Sequence, residues 1–317
     1  MFNINNITEF IEHNNINIKF IDYFEAGSQS DVFLIRYNNK DCVLKLYKNN
    51  NKFNENAFVL EKTVLNTLKD CDLAPKLLDT FEVDFCNCNL KFIIIEYLEN
   101  YITLNKYMDS YPHQFKDLFF NLLNVLSKLH KKGVIHRDIK PNNIMVNKTT
   151  SDIKIIDFGL SYHVEETSDN YLLITSMAFD YQSPDLILHT MIENDNSRGN
   201  KPLKEIITQI NKKNDLFSFL YLFINILSPH HVLFKRSGLL PDYCSYIKQE
   251  VNFSNIDDNK YKNYYKELKK YLLENINPLY ENTNTSIKIN ELLKYFIINI
   301  DEPYDNILKF FETVKFE

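Results

Sequence analysis

Apolar residues fall in short strand-like runs over the first hundred positions and then recur at helical spacing along most of the rest. Ile18-Lys19-Phe20-Ile21, Val32-Phe33-Leu34-Ile35 and Cys42-Val43-Leu44-Lys45-Leu46 are rich in β-branched and aromatic residues, and each predicts a strand. Asn38-Asn39-Lys40, between the last two, is a hairpin turn signal. Residues 54–69 carry Phe58, Leu60, Val64, Leu65 and Leu68 at near-helical spacing, and the stretch from Asp72 to Pro75 ends that helix. A further strand pair closes on the continuous apolar run Phe92-Ile93-Ile94-Ile95.

After Leu98 the helical period takes over. Phe115 to His130 places Leu118, Phe119, Leu122, Leu123, Val125, Leu126 and Leu129 on one broad face. Two strand-like stretches interrupt, at Ile144-Met145-Val146 and Ile153-Lys154-Ile155-Ile156, and from 203 onward helices are predicted to the end. Residues 1–19 are polar with scattered Ile and predict a short leading helix. The polar stretches 193–201 and 252–263 predict surface loops. The pattern therefore describes a small β-rich part followed by a larger helical one.

A length of 317 residues suits one large domain or two tightly joined lobes, and it buries enough apolar surface to fold without disulfides or a structural metal. The net charge of −6 shows no basic excess, which argues against nucleic acid or an anionic membrane as the main partner. Five cysteines at irregular spacing suggest free thiols in a reducing compartment. The polar start MFNINNITEF lacks Lys and Arg and does not read as a signal peptide. Leu216 to Leu227, the longest apolar run, is too short to span a bilayer and predicts a buried helix. A cytoplasmic monomer is the expectation. Abundant Asn, Ile, Lys, Phe and Tyr with no Trp reflect AT-rich codons, as in some large viruses and low-GC bacteria.

The chemistry concentrates in His136-Arg137-Asp138-Ile139-Lys140-Pro141-Asn142-Asn143 and, downstream, Asp157-Phe158-Gly159. An Asp, an Asn five residues on and a second Asp are the parts needed to hold metal-bound ATP beside a hydroxyl. Their order and spacing resemble the catalytic segment of eukaryotic-type serine/threonine protein kinases, and the resemblance extends loosely over about residues 20 to 295. It implies an α+β, two-lobed protein kinase-like fold. Residues 1–19 would be an N-terminal extension, about 20–96 the β-rich N-lobe, 97–100 the hinge and 101–317 the helical C-lobe. ATP and Mg2+ are the implied cofactors, and a protein the implied substrate.

The same resemblance assigns roles. Asp138 would be the catalytic base, with Lys140 neutralising charge on the transferred phosphate and Asn143 and Asp157 holding Mg2+. Lys45 would grip the α- and β-phosphates, with Glu61 as its partner and Glu55 as the runner-up. Strand alternation puts Val43 on the face of Lys45, against adenine, while Lys40 and Lys48 lie at strand ends. Val32 and Gly27 belong to the phosphate-covering loop, in which Glu25 and Ser30 replace two of the three glycines. Glu96 and Leu98 would meet adenine through their backbones, with Ile95 guarding the pocket behind. His136 would pack structurally, and Arg137 would receive a phosphate carried by Thr175 or Ser176, or else by Thr167 or Ser168.

Several positions depart from the family pattern. Asp185 stands where the family has Glu, its usual arginine partner is missing near 286–293, and Lys288 is a candidate substitute. Ala178 replaces a threonine usual in serine/threonine kinases, although Lys140 itself favours that class over tyrosine. Asn214-Asp215 resembles the start of the central buried helix, with Asp215 capping the catalytic loop, and its distance from Asp185 implies an insertion between them. The His136–Pro141 run and the segment from Asn214 to Leu222 lean toward the casein-kinase-like group. A pseudokinase serving as a binding or scaffold module is the alternative reading. A small-molecule kinase is a third.

Overall fold

The computed structural model describes residues 18–26, 29–47, 52–85, 88–165, 182–186, 204–228, 258–277, 279 and 283–316. In chain order the elements are β1 (Ile18–Ala26), β2 (Ser30–Tyr37), β3 (Lys40–Tyr47), α1 (Lys52–Thr67), β4 (Leu77–Phe85), β5 (Cys88–Glu96) and β6 (Tyr101–Thr103). There follow α2 (Leu104–Ser110), α3 (Phe115–Lys131), β7 (Val134–Ile135), β8 (Ile144–Asn147), β9 (Ile153–Ile155) and β10 (Tyr162–His163). The last are α4 (Lys204–Leu227), α5 (Asp258–Asn275), α6 (Asn284–Ile298) and α7 (Tyr304–Thr313), and the fold is α+β. None of the described helices is long and apolar enough to cross a membrane.

Residue contacts divide the chain into two compact units, 1–102 with 144–163 and 103–143 with 164–317. The return of 144–163 to the strand-rich unit differs from the single crossing near 97–100 that the sequence suggests. Short strands of this kind carry no mark of which unit they join.

In the strand-rich unit an antiparallel sheet runs in the order β1-β2-β3-β5-β4. The predicted turn joins β2 to β3, with Asn38 and Asn39 both at positive φ (48° and 63°), the conformation a tight two-residue hairpin needs and Asn tolerates. One sheet face packs Phe33, Ile35, Cys42, Leu44, Leu46, Phe92 and Ile94 into a core. The other carries Val32, Val43 and Lys45, because side chains alternate along each strand and directly paired residues share a face. Lys91 of β5 binds Glu55 of α1 at 3.0 Å, tying that helix to the sheet.

The helical unit is organised around α4. Its Leu216, Phe217, Phe219, Leu220, Leu222, Phe223 and Ile224 are all buried, so its second half is apolar nearly all round. Phe119 of α3 meets Phe219 and Phe223 edge-on, at 4.8 and 5.0 Å between ring centroids. Three expectations change here. A strand, β6, follows Leu98 before the helices begin. The central helix starts at Lys204, so Asp215 lies in its interior. The predicted loop 252–263 is helical from Asp258, the start of α5; residues 193–201 and 1–17 lie outside the described residues.

Candidate active site

Lys45 sits on β3 paired with Val32 on one side and Ile93 on the other. Its Nζ reaches both carboxylate oxygens of Glu61 on α1, at 2.7 and 2.9 Å, and Oδ1 of Asp157 at 3.1 Å. Burial works against the Lys45 charge, but the charges of Asp157 and Glu61 outweigh it and push the ammonium pKa upward, so the side chain stays cationic. Glu61, and not Glu55, is therefore the partner, and it is 1% exposed. Tyr47, two residues beyond Lys45 on the same face, donates its phenol to Glu61 Oε2. Sequence reasoning passed over this residue, although strand alternation carries the signal.

Val43 is half-buried on the face of Lys45, as alternation predicts, and half-buried Val32 shares that face because it pairs directly with Lys45. Glu96 ends β5: its amide donates to Lys76 O at 2.9 Å, and its carboxylate accepts from Lys154 Nζ at 3.2 Å. Lys154, nearly buried on β9, also pairs with Asp72 at 2.8 Å, so the end of β5 is anchored by a cation the sequence did not single out. The Leu98 carbonyl accepts from Tyr101 N at 3.2 Å. Gly27 lies outside the described residues, but Gln29, just beyond it, is buried with its carboxamide against Gly159, and a Cβ at Gly159 would strike that group. A side chain at 159 would thus have to displace the Gln29 carboxamide and press on Ala57.

In the helical unit, residues 136–143 wrap their polar groups around one another. Asp138 Oδ2 accepts from Lys140 Nζ at 2.6 Å and from Asn143 Nδ2 at 2.9 Å. Asn143 Nδ2 also donates to the Asp138 carbonyl at 2.9 Å. Both Asp138 atoms are acceptors, which fixes the amide orientation and leaves Asn143 Oδ1, a hard oxygen suited to Mg2+, without a hydrogen bond among the described residues. His136 is fully buried and its Nδ1 accepts from Asp138 N at 3.2 Å, which makes it a brace for the loop rather than a base. Arg137 and Asp157 both hold φ at 67°, an unfavourable region for a non-glycine residue, each beside a residue assigned to the chemistry or itself so assigned.

Three consecutive side chains of α4 hold the surrounding segments. Successive helical residues point about 100° apart, so each reaches a different neighbour. Asp215 accepts from His136 N and Arg137 N, both at 2.7 Å, and meets His130 Nε2 at 3.0 Å. Asn214 Oδ1 accepts from Ser183 N at 2.8 Å. Lys213 Nζ lies 3.1 Å from Asp185 Oδ2, a charge contact outside hydrogen-bond alignment, while it donates to the Ile300 carbonyl. The partner of Asp185 is therefore Lys213. Lys288 instead pairs with Glu291 at the surface, 2.9 Å away. Ala178, Thr167, Ser168, Thr175 and Ser176 lie outside the described residues.

Comparison with known proteins agrees with these features. The chain is 32% identical over 150 residues to Probable serine/threonine-protein kinase fnkB of Dictyostelium discoideum, covering 46% of this chain and 27% of that protein. It is 31% identical over 156 residues to Serine/threonine-protein kinase 1 of African swine fever virus (isolate Tick/Malawi/Lil 20-1/1983), covering 47% and 48%. The matches thus span less than half the length of these relatives. The solved structure of the Cydia pomonella granulovirus kinase PK-1 superposes with a TM-score of 0.57 at 16% identity, over 97% of this chain and 98% of that one, and so shares the fold. The protein kinase domain model matches residues 25–297, and the chain belongs to the protein kinase family.

Proposed function

We propose that this chain is an active kinase that uses ATP and Mg2+ to phosphorylate serine or threonine hydroxyls of proteins. The observation that carries the reading is the buried Lys45–Glu61 pair at 2.7 and 2.9 Å, with Asp157 3.1 Å from the same ammonium. Lys45, held by Glu61, would grip the α- and β-phosphates. Asp138 would accept the proton of the attacking hydroxyl as the new O–P bond forms and the bond to the ADP oxygen breaks. Lys140, 2.6 Å from Asp138, would stand where charge develops on the transferred group. Asn143 through Oδ1 and Asp157 would hold Mg2+, which when bound supplies positive charge to the phosphate oxygens.

The serine/threonine preference rests on Lys140 and on the class of the matched relatives. A pseudokinase is favoured instead by the glycine-poor segment 25–30 and by Ala178. Transfer of labelled phosphate from ATP to a generic protein substrate, with and without Mg2+, separates the two. Asp138→Asn is expected to lower transfer at least a hundredfold, the low end for a general base, with the melting temperature nearly unchanged. Wild-type activity in that variant would remove Asp138 from its role.

A further inference from the structure

We propose that Tyr47 is a positioning residue for phosphoryl transfer, whose phenol locks the Glu61 carboxylate against Lys45. The inference deepens the kinase reading above and rests on it. Lys45 and Tyr47 are two residues apart on β3, so both project toward α1. Glu61 lies three residues beyond Phe58 on α1, so the two share a helix face. The Tyr47 ring packs edge-on against Phe58, with centroids 5.5 Å apart and planes at 74°, while its hydroxyl binds Glu61 Oε2. One side chain thus fixes α1 at two points a turn apart, which sets both the helix rotation and the aim of the carboxylate.

The hydroxyl does not compete with the ammonium. A carboxylate offers about four acceptor sites, and Lys45 and Tyr47 occupy three. Tyr47, Glu61 and Lys45 are all buried, so water cannot replace a lost donor readily. Burial, followed by the Glu61 charge, pushes the Tyr47 pKa well up, which keeps the phenol a donor across the working pH range. Without it, Glu61 gains freedom to leave Lys45, and Lys45 loses its fixed aim at the phosphates.

Tyr47→Phe removes only the hydroxyl and keeps the contact with Phe58. Losing a hydrogen bond to a charged group predicts about a tenfold fall in kcat/KM for ATP, with KM for the protein substrate unmoved. The fall should vanish in a Glu61→Gln background, because Tyr47 acts through that carboxylate. Unchanged kcat/KM in Y47F, or an equal fall in both backgrounds, overturns the proposal. If Y47F does not fold, Tyr47→Met repeats the test with a smaller, flexible apolar side chain beside Phe58. If the wild-type chain binds MgATP by calorimetry but transfers no phosphate, the active-kinase reading fails and the tenfold loss must then appear in MgATP affinity, an unchanged affinity refuting the role of Tyr47. A wild-type chain that neither transfers phosphate nor binds MgATP ends both.

Discussion

Removing the Lys213 ammonium tests how the segment 182–186 is held. The Asp185 side chain has no solvent exposure and Lys213 only 5%. In Lys213→Met the aliphatic volume remains, but Asp185 Oδ2 loses its cation and the Ile300 carbonyl loses its donor. Asp185 Oδ1 keeps its bonds from Ser183 Oγ at 2.6 Å and Leu186 N at 3.1 Å. Breaking a buried pair from one side costs about 3–5 kcal/mol, and the two retained bonds argue for the lower figure, about 3 kcal/mol. At about 2–4 °C per kcal/mol for large domains, the melting temperature should fall by about 6–12 °C. Urea denaturation of K213M, D185N and the double variant measures the coupling, and the double variant should cost clearly less than the sum of the singles. Lys288→Met, which removes an exposed pair, should stay within about 0.5 kcal/mol of wild type. A loss below about 1 kcal/mol in K213M, or simple additivity in the cycle, would refute the assignment of Lys213 as the partner of Asp185.

Two further outcomes are expected. Gly159→Ala drives a methyl into the Gln29 carboxamide and close to Ala57, so it should lose about 1–3 kcal/mol by overpacking. Gln29→Ala in the same chain should recover most of that loss in thermal denaturation, and no recovery would show that the contact is not the cause. His130, buried between Asp215 and the Tyr304 hydroxyl, has its pKa lowered from 6.5, chiefly by burial and against the pull of Asp215. The unfolded chain therefore takes up a proton near 6.5 that the folded chain resists, so stability should decline as pH falls below that value. Replacing His130 by Gln should flatten this part of a urea-denaturation profile taken between pH 8 and 5, and an unchanged slope would exclude His130 as its source.

The sequence by itself determined the parts that depend on local pattern. The β-rich apolar runs marked β2 and β3, alternation fixed the face shared by Val43 and Lys45, and Asn38-Asn39-Lys40 marked the turn between the strands. The helical period marked Phe115 to His130, within one residue of the observed helix, and the resemblance carried by Asp138, Asn143 and Asp157 marked where the proposed chemistry lies. Only the tertiary structure decided which distant side chains meet. Glu61 prevailed over Glu55 because the packing of α1 turned the former to Lys45 and the latter to Lys91. Lys213 rather than Lys288 neutralises Asp185, Tyr47 completes the Glu61 site, and Lys154 anchors Glu96. Nothing in the linear string ranked Lys213 over Lys288 as the buried counter-ion of Asp185. That choice depends on which cation is carried to within about 3–4 Å of a desolvated carboxylate, where the energy of an ion pair becomes large.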